Sequence, residues 1–178
     1  MILDFGQGEL FMVNKLIILD VDGVLTDGTK IYDINGNTIA KRFCDQDFSA
    51  IKKFVDNNCI VCWLSADKDV NESIAKNRDI PFWYSRLPDG SIDKVGWLYF
   101  LIRHYAVSIT DVIYVGDDLF DIPIINEINV HGGFTYCPQN AVKGVREVVS
   151  CVCQAKGGEA IVMEIYESMY SDYVQPSN

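Results

Sequence analysis

The chain has 178 residues, 49% of them apolar, and a formal net charge of −10. That length and composition suit a single α/β-sized domain with a real core, and they exclude a fibrous or disordered class. The negative field disfavours nucleic acid and anionic membranes as partners, and it suits a hard cation held among carboxylates.

Residues 1–14 read as an N-terminal extension. They carry Asp4 and Glu9 before the first lysine, so they lack the basic start of a secretory leader. No apolar run reaches the ~18 residues of a membrane span. The expectation is a cytoplasmic protein with one domain over 15–171 and a short tail over 172–178.

From Leu16 onward, strand-like and helix-like stretches alternate. Leu16–Leu19 is a short, wholly apolar run, and Cys59–Leu64 and Val112–Val115 match it. Such runs suit central strands of a parallel sheet. Ile80–Tyr84, Asn129–Val130 and Val148–Cys153 are weaker strands. Helices are predicted over Asp47–Asn57, Lys68–Asn77, Ser91–Tyr105, Leu119–Ile128, Ala141–Val148 and Glu159–Tyr170. The order implies a Rossmann-like α/β fold, mostly parallel, with helices on both faces.

Thr29–Phe43 breaks the alternation. Asn35-Gly36 between β-type residues predicts a hairpin with a type I′ turn. Its register sets Tyr32 against Ile39 and Ile31 against Ala40, which leaves apolar side chains on both faces. A lone hairpin is barely stable, so this one is expected to pack on something, such as another copy of the chain. Of the six cysteines, Cys59/Cys62 and Cys151/Cys153 have metal-like spacing, but their apolar settings fit small buried hydrophobes better than zinc ligands.

Three strands end in polar residues: Asp20-Val-Asp22-Gly23, Ser65-Ala66-Asp67 and Gly116-Asp117-Asp118 followed by Asp121. Carboxyl ends of parallel strands share one sheet edge, where ligands bind. Clustered carboxylates need a cation between them to remain ionised, and magnesium (Mg2+) is the natural choice. The reading makes Asp20 a nucleophile toward phosphorus and Asp22 a general acid/base. Lys94 and Ser65 stabilise phosphate charge. The plain alternatives are a helix cap for Ser65, a surface lysine for Lys94 and support of a helix start for Asp121.

These residues resemble the four motifs of the haloacid dehalogenase-like phosphatases. The closer likeness is to the capless branch acting on 3-deoxy-D-manno-octulosonate 8-phosphate and related nonulosonate phosphates. It runs from about Leu16 to Glu167 and includes Asp27-Gly28, the Asn35-Gly36 turn, Pro138, Ala141-Val-Lys143 and Gly157-Gly158. The resemblance implies a Mg2+-dependent phosphomonoester hydrolase with an aspartyl-phosphate intermediate, acting on a phosphorylated sugar or sugar acid. It implies metal ligation by the Asp20 carboxylate, the Asp22 carbonyl and Asp117, with Asp118 or Asp121 in support. Gly23, Ser65, Ala66, Lys94 and Asp47 would line the phosphate or substrate site, and a tetramer would form through the hairpins. Three arginines of the branch are replaced, at Gln46, Asp67 and Met163, so the chain reads as a relative with altered substrate choice. The competing functions are a phospho-accepting receiver module and a non-catalytic scaffold with an altered site.

Overall fold

A computed structural model describes residues 15–170; the N-terminal extension and the tail expected from the sequence lie outside the described residues. The chain order is β1 (Leu16–Leu19), a hairpin of β2 (Ile31–Tyr32) and β3 (Thr38–Ala40), then α1 (Asp45–Asp56). It continues through β4 (Ile60–Ser65), α2 (Asp69–Asn77), β5 (Phe82–Tyr84), α3 (Lys94–His104) and β6 (Val112–Val115). The last elements are α4 (Ile122–Val130), β7 (Phe134–Cys137), α5 (Lys143–Arg146), β8 (Cys151–Val152) and α6 (Ile161–Tyr170).

The six-stranded sheet has the order β5-β4-β1-β6-β7-β8 and is parallel throughout. The chain winds outward from β1 to β4 and β5, then returns to build β6, β7 and β8 on the other side. The direction of winding therefore reverses beside β1. In a doubly wound sheet, that reversal opens a crevice at the carboxyl ends of the central strands.

Burial on both faces explains the apolar strands. On β1, Ile17 and Leu19 join Phe54 of α1 and Ile165 of α6 on one face. Leu16 and Ile18 join Leu98 of α3 and Ile124 of α4 on the other. Each such side chain withdrawn from water contributes about 1.5–3 kcal/mol. Among the described residues no cap domain is inserted: the hairpin lies between β1 and α1, and only α2, β5 and a turn lie between Ser65 and Lys94.

Several elements depart from the sequence expectation. Asn129–Val130 is the last turn of α4 rather than a strand, and the strand follows it, at Phe134–Cys137. Gly132-Gly133 separates the two: Gly132 has φ +84°, and its neighbour packs too tightly on Ile128 and the Ile109 carbonyl to carry a side chain. α3 starts at Lys94 because the Asp93 carboxylate accepts the Gly96 N–H at 2.7 Å and fixes the cap. The Ala141–Val148 stretch contracts to the single turn of α5.

The hairpin pairs Ile31 with Ala40 as expected, but Tyr32 lies opposite Thr38, with an irregularity between the two pairs. The turn is not type I′, which requires positive φ at both central residues. Gly36 alone has it, at 82°. The Asp33 carboxylate accepts the N–H groups of Asn35 (2.8 Å) and Asn37 (2.9 Å), and Gly36 N–H bonds the Asp33 carbonyl. That local network outcompetes the Asn-Gly turn preference. Ile31, Tyr32, Ile34 and Ile39 remain exposed. All six cysteines are free, and Cys151 is exposed rather than buried.

Candidate active site

The crevice is a cavity of about 330 Å³ at the carboxyl ends of β1, β4 and β6. Asp20, Asp22, Gly23, Ser65, Ala66, Lys94, Asp117, Asp118 and Asp121 all line it. Residues remote in sequence meet there because the three strands are adjacent: Leu19, the last residue of β1, pairs with Val115, the last of β6, and with Trp63 near the end of β4.

After Leu19 the chain turns sharply. The amides of Leu25 and Thr26 bond the Val21 carbonyl, and the Thr26 hydroxyl accepts N–H bonds from Gly23 and Gly28 at 3.2 Å. Gly23 has φ +88°, and a Cβ there would lie 2.0 Å from Asp117 Oδ2. Only glycine lets the Asp117 carboxylate approach the first loop this closely. Gly157 braces the loop from behind, where a Cβ would meet the Gly23 carbonyl oxygen at 1.8 Å. Gly158 donates to the Val24 carbonyl at 2.8 Å.

Lys94 is buried at the cavity floor. Its ammonium lies 2.9 Å from Asp20 Oδ2 and 2.5 Å from Asp121 Oδ1. Burial alone would lower the Lys94 pKa, but the Asp20 and Asp121 carboxylates outweigh it and hold the ammonium protonated. It is therefore no surface lysine. Asp121 is fully buried; it also accepts the Tyr114 hydroxyl at 2.6 Å and the amides of Asp117 and Asp118 at 2.8 and 3.0 Å. Asp121 thus fixes Lys94 and shapes the turn after β6 together.

Carboxylate oxygens of Asp20, Asp117 and Asp121 all lie within 4.8 Å of one another. Burial pushes the Asp117 pKa up to about 8, with the charges of Asp20, Asp121 and Asp118 adding to the rise. Burial likewise raises Asp20 to about 7 against the pull of Lys94. Asp117 Oδ1 is buried without a hydrogen-bond partner. An orphaned carboxylate oxygen in an all-oxygen cluster is the donor set a hard dication such as magnesium requires. Asp118 stands apart: its Oδ1 accepts Leu119 N–H at 2.7 Å and starts the short helical turn over 119–121.

Asp22 is gripped from outside the motif. Lys41 Nζ lies 2.7 Å from its Oδ1, and Asn71 Nδ2 donates to its Oδ2 at 3.0 Å. Lys41 follows β3, its side chain is buried, and it also contacts Asp67 (2.7 Å) and donates to the side-chain Oδ1 of Asn71 (2.9 Å). Asp67 bonds Lys30 at 2.7 Å as well. Burial alone would raise the Asp67 pKa, but these two lysines draw it down to about 2. No motif in the sequence singles out Lys30, Lys41 or Asn71; their only signal is two lysines flanking the Asn35-Gly36 hairpin.

Ser65 is buried, and its hydroxyl accepts Asp67 N–H and Asn71 Nδ2–H at 3.1 Å each. It caps no helix, since α2 starts at Asp69. The expected place of Asp47 is corrected. It does not line the cavity; it is buried behind it, where Oδ1 accepts Val162 N–H at 2.7 Å at the start of α6. Burial raises its pKa to about 6, against hydrogen bonds from the Val162, Met163 and Ala160 amides. Gln46 is exposed on α1, and Met163 packs on the core. Of the three replaced arginine positions, only Asp67 lies on the cavity wall.

No family model matches the chain. It is 29% identical over 159 residues to the 3-deoxy-D-manno-octulosonate 8-phosphate phosphatase of Haemophilus influenzae, covering 85% of this chain and 79% of that one. The solved structure of the Moraxella catarrhalis enzyme of that name, in complex with magnesium, phosphate and the octulosonate, superposes with TM-score 0.77 at 26% identity. That match covers 88% of this chain and 86% of the other. A haloacid dehalogenase superfamily hydrolase of Legionella pneumophila gives TM-score 0.76 at 28% identity over 86% and 80% of the two chains. In fold, strand-end carboxylates and these likenesses, the chain resembles the phosphatases of the haloacid dehalogenase-like superfamily. Within that superfamily it resembles the 3-deoxy-D-manno-octulosonate 8-phosphate phosphatases.

Proposed function

We propose that this chain hydrolyses the phosphomonoester of a phosphorylated sugar acid, with Asp20 as nucleophile. The observation that carries the reading is the Asp20–Lys94–Asp121 contact at the floor of a cavity that Asp117 and Ser65 also line. Asp20 Oδ1 is aligned by the Val21 amide at 2.7 Å, and Oδ2 is held by Lys94. Both bonds favour the ionised form that attacks phosphorus. Ser65 and Lys94 offer donors to the phosphoryl oxygens as charge builds on them. Asp22 protonates the leaving oxygen, then takes a proton from the water that cleaves the aspartyl phosphate.

Magnesium held by Asp20, Asp117 and the Asp22 carbonyl, with Asp121 and Asp118 behind them, would supply positive charge that neutralises the phosphoryl group. The competing receiver and scaffold readings are not favoured, because the relatives are phosphatases by name and Asp22 provides the base that a phosphate-storing module lacks.

The exposed hairpin residues Ile31, Tyr32, Ile34 and Ile39 support self-association, with four copies as the proposed assembly. Light scattering of the full chain tests it. Among the described residues no helix is long and apolar enough to cross a membrane. A cytoplasmic place of action belongs to the same proposal and is supported by the buried free thiols of Cys62 and Cys137, which suit a reducing compartment.

The test is steady-state turnover of para-nitrophenyl phosphate and of 3-deoxy-D-manno-octulosonate 8-phosphate with magnesium present. Asp20→Asn should reduce both by at least ~1000-fold with the fold unchanged. Turnover equal to that of the parent chain would remove Asp20 from this role.

A further inference from the structure

The turn between β5 and α3 carries a cation that the chemistry described so far does not use. Arg86 follows Ser85, whose N–H bonds the Ser65 carbonyl at 2.9 Å, so the turn starts beside the second strand end. Arg86 pairs across a one-residue bridge with Ile92, and Leu87 N–H bonds the Ser91 carbonyl at 2.8 Å. The turn closes on Gly90, with φ +88°. The Arg86 side chain folds back over the second motif: Nε donates to the Ala66 carbonyl at 3.2 Å and Nη1 to the Gly90 carbonyl at 2.8 Å. Two backbone carbonyls thus fix the plane of the guanidinium and leave its other N–H groups uncommitted.

Its charge is likewise uncommitted. The other cations lining the cavity are neutralised, Lys94 by Asp20 and Asp121 and Lys30 by Asp67. Among the described residues, no carboxylate forms an ion pair with Arg86. Depth separates the roles. Lys94 and Ser65 are buried at the floor, whereas Arg86 is exposed at the mouth. A phosphate seated at the floor therefore presents the rest of its ester to Arg86.

We infer that Arg86 is the residue by which this chain recognises a carboxylate on its substrate, at the end of the ester remote from the phosphate. The inference rests on the phosphatase reading above and adds the group that selects among phosphate esters. A guanidinium held in one plane is suited to paired hydrogen bonds to a carboxylate, which a lysine does not reproduce. It also accounts for Asp67. That wall position carries an acid committed to Lys30 and Lys41, and the guanidinium at the mouth comes instead from the turn before Lys94.

The experiment compares Arg86→Ala and Arg86→Lys with the parent chain on two esters, 3-deoxy-D-manno-octulosonate 8-phosphate and the carboxylate-free para-nitrophenyl phosphate. Arg86→Ala should raise KM for the sugar acid ~10- to 100-fold, the worth of one charge-assisted pair. It should leave kcat and all turnover of the aryl phosphate within about 2-fold, and Arg86→Lys should restore little. Equal losses on both esters would place Arg86 on the phosphate and overturn the inference, as would no loss on either. Calorimetric binding of free 3-deoxy-D-manno-octulosonate separates the two readings. If the parent chain binds it and Arg86→Ala does not, the inference stands even if no ester is turned over, and the failure then belongs to the phosphatase reading. Equal binding by both, or binding by neither, overturns the role of Arg86.

Discussion

Lys41 and Asp22 lie 2.7 Å apart, although one closes the hairpin and the other belongs to the loop after β1. The contact places an ammonium from the hairpin against the proposed acid/base. With Asn71, it sets the direction in which the Asp22 carboxylate points. Lys41→Met keeps the stem and removes the charge. It should lower kcat by ~100-fold or less, because misdirecting a general acid forfeits at most its contribution of ~100- to 10,000-fold. Magnesium affinity should change little. Kinetics with a magnesium titration check it, and an unchanged kcat would show that the contact does not orient Asp22.

Lys94 tests the floor of the cavity. Lys94→Ala leaves Asp20 and Asp121 facing each other in a buried site without a counter-charge. Removing one partner of a buried pair costs about 3–5 kcal/mol. A large fall in the unfolding midpoint is expected, with activity reduced at least ~100-fold. Added magnesium should recover part of the stability and little of the activity. A variant as stable as the parent without metal would contradict the pairing.

Metal-free protein should lose stability as pH rises. Asp20 and Asp117 have folded-state pKa values raised to about 7 and about 8, well above those of an unfolded carboxylate. Between the unfolded and folded values, the native state holds more protons than the unfolded one. The contribution is therefore complete below about pH 4 and is lost as pH climbs through 7 and 8. Thermal melts from pH 5 to 9 with chelator should show a falling midpoint, and saturating magnesium should flatten it. A metal-free midpoint that rises over the same range would refute the assignment.

Asp47 distinguishes support from catalysis. Its carboxylate accepts the Val162 amide at the first turn of α6. Asp47→Ala should cost about 1–2 kcal/mol, as the loss of a helix cap does. At a temperature where the variant is folded, KM for either ester should match the parent. A selective rise in KM would return Asp47 to the substrate site.

The sequence by itself determined the central strands of the sheet and the position of its working edge. Leu16–Leu19 and Val112–Val115 are apolar on both faces, which only a central strand tolerates, and each ends in aspartate. Local signals sufficed there because the pattern and the burial agree. They failed where a side chain at one position answers to a distant element. Asn129–Val130 has strand-forming character, yet the packing of α4 on the sheet keeps it helical. Asp47 sits beside a motif position, yet the start of α6 claims its carboxylate. Lys41, Asn71 and Arg86 carry no motif. Only the tertiary structure decided what they touch, because their partners come from other strand ends. Ionic and hydrogen-bond pairing depends on distance in space, and neither composition nor periodicity along the chain encodes that distance.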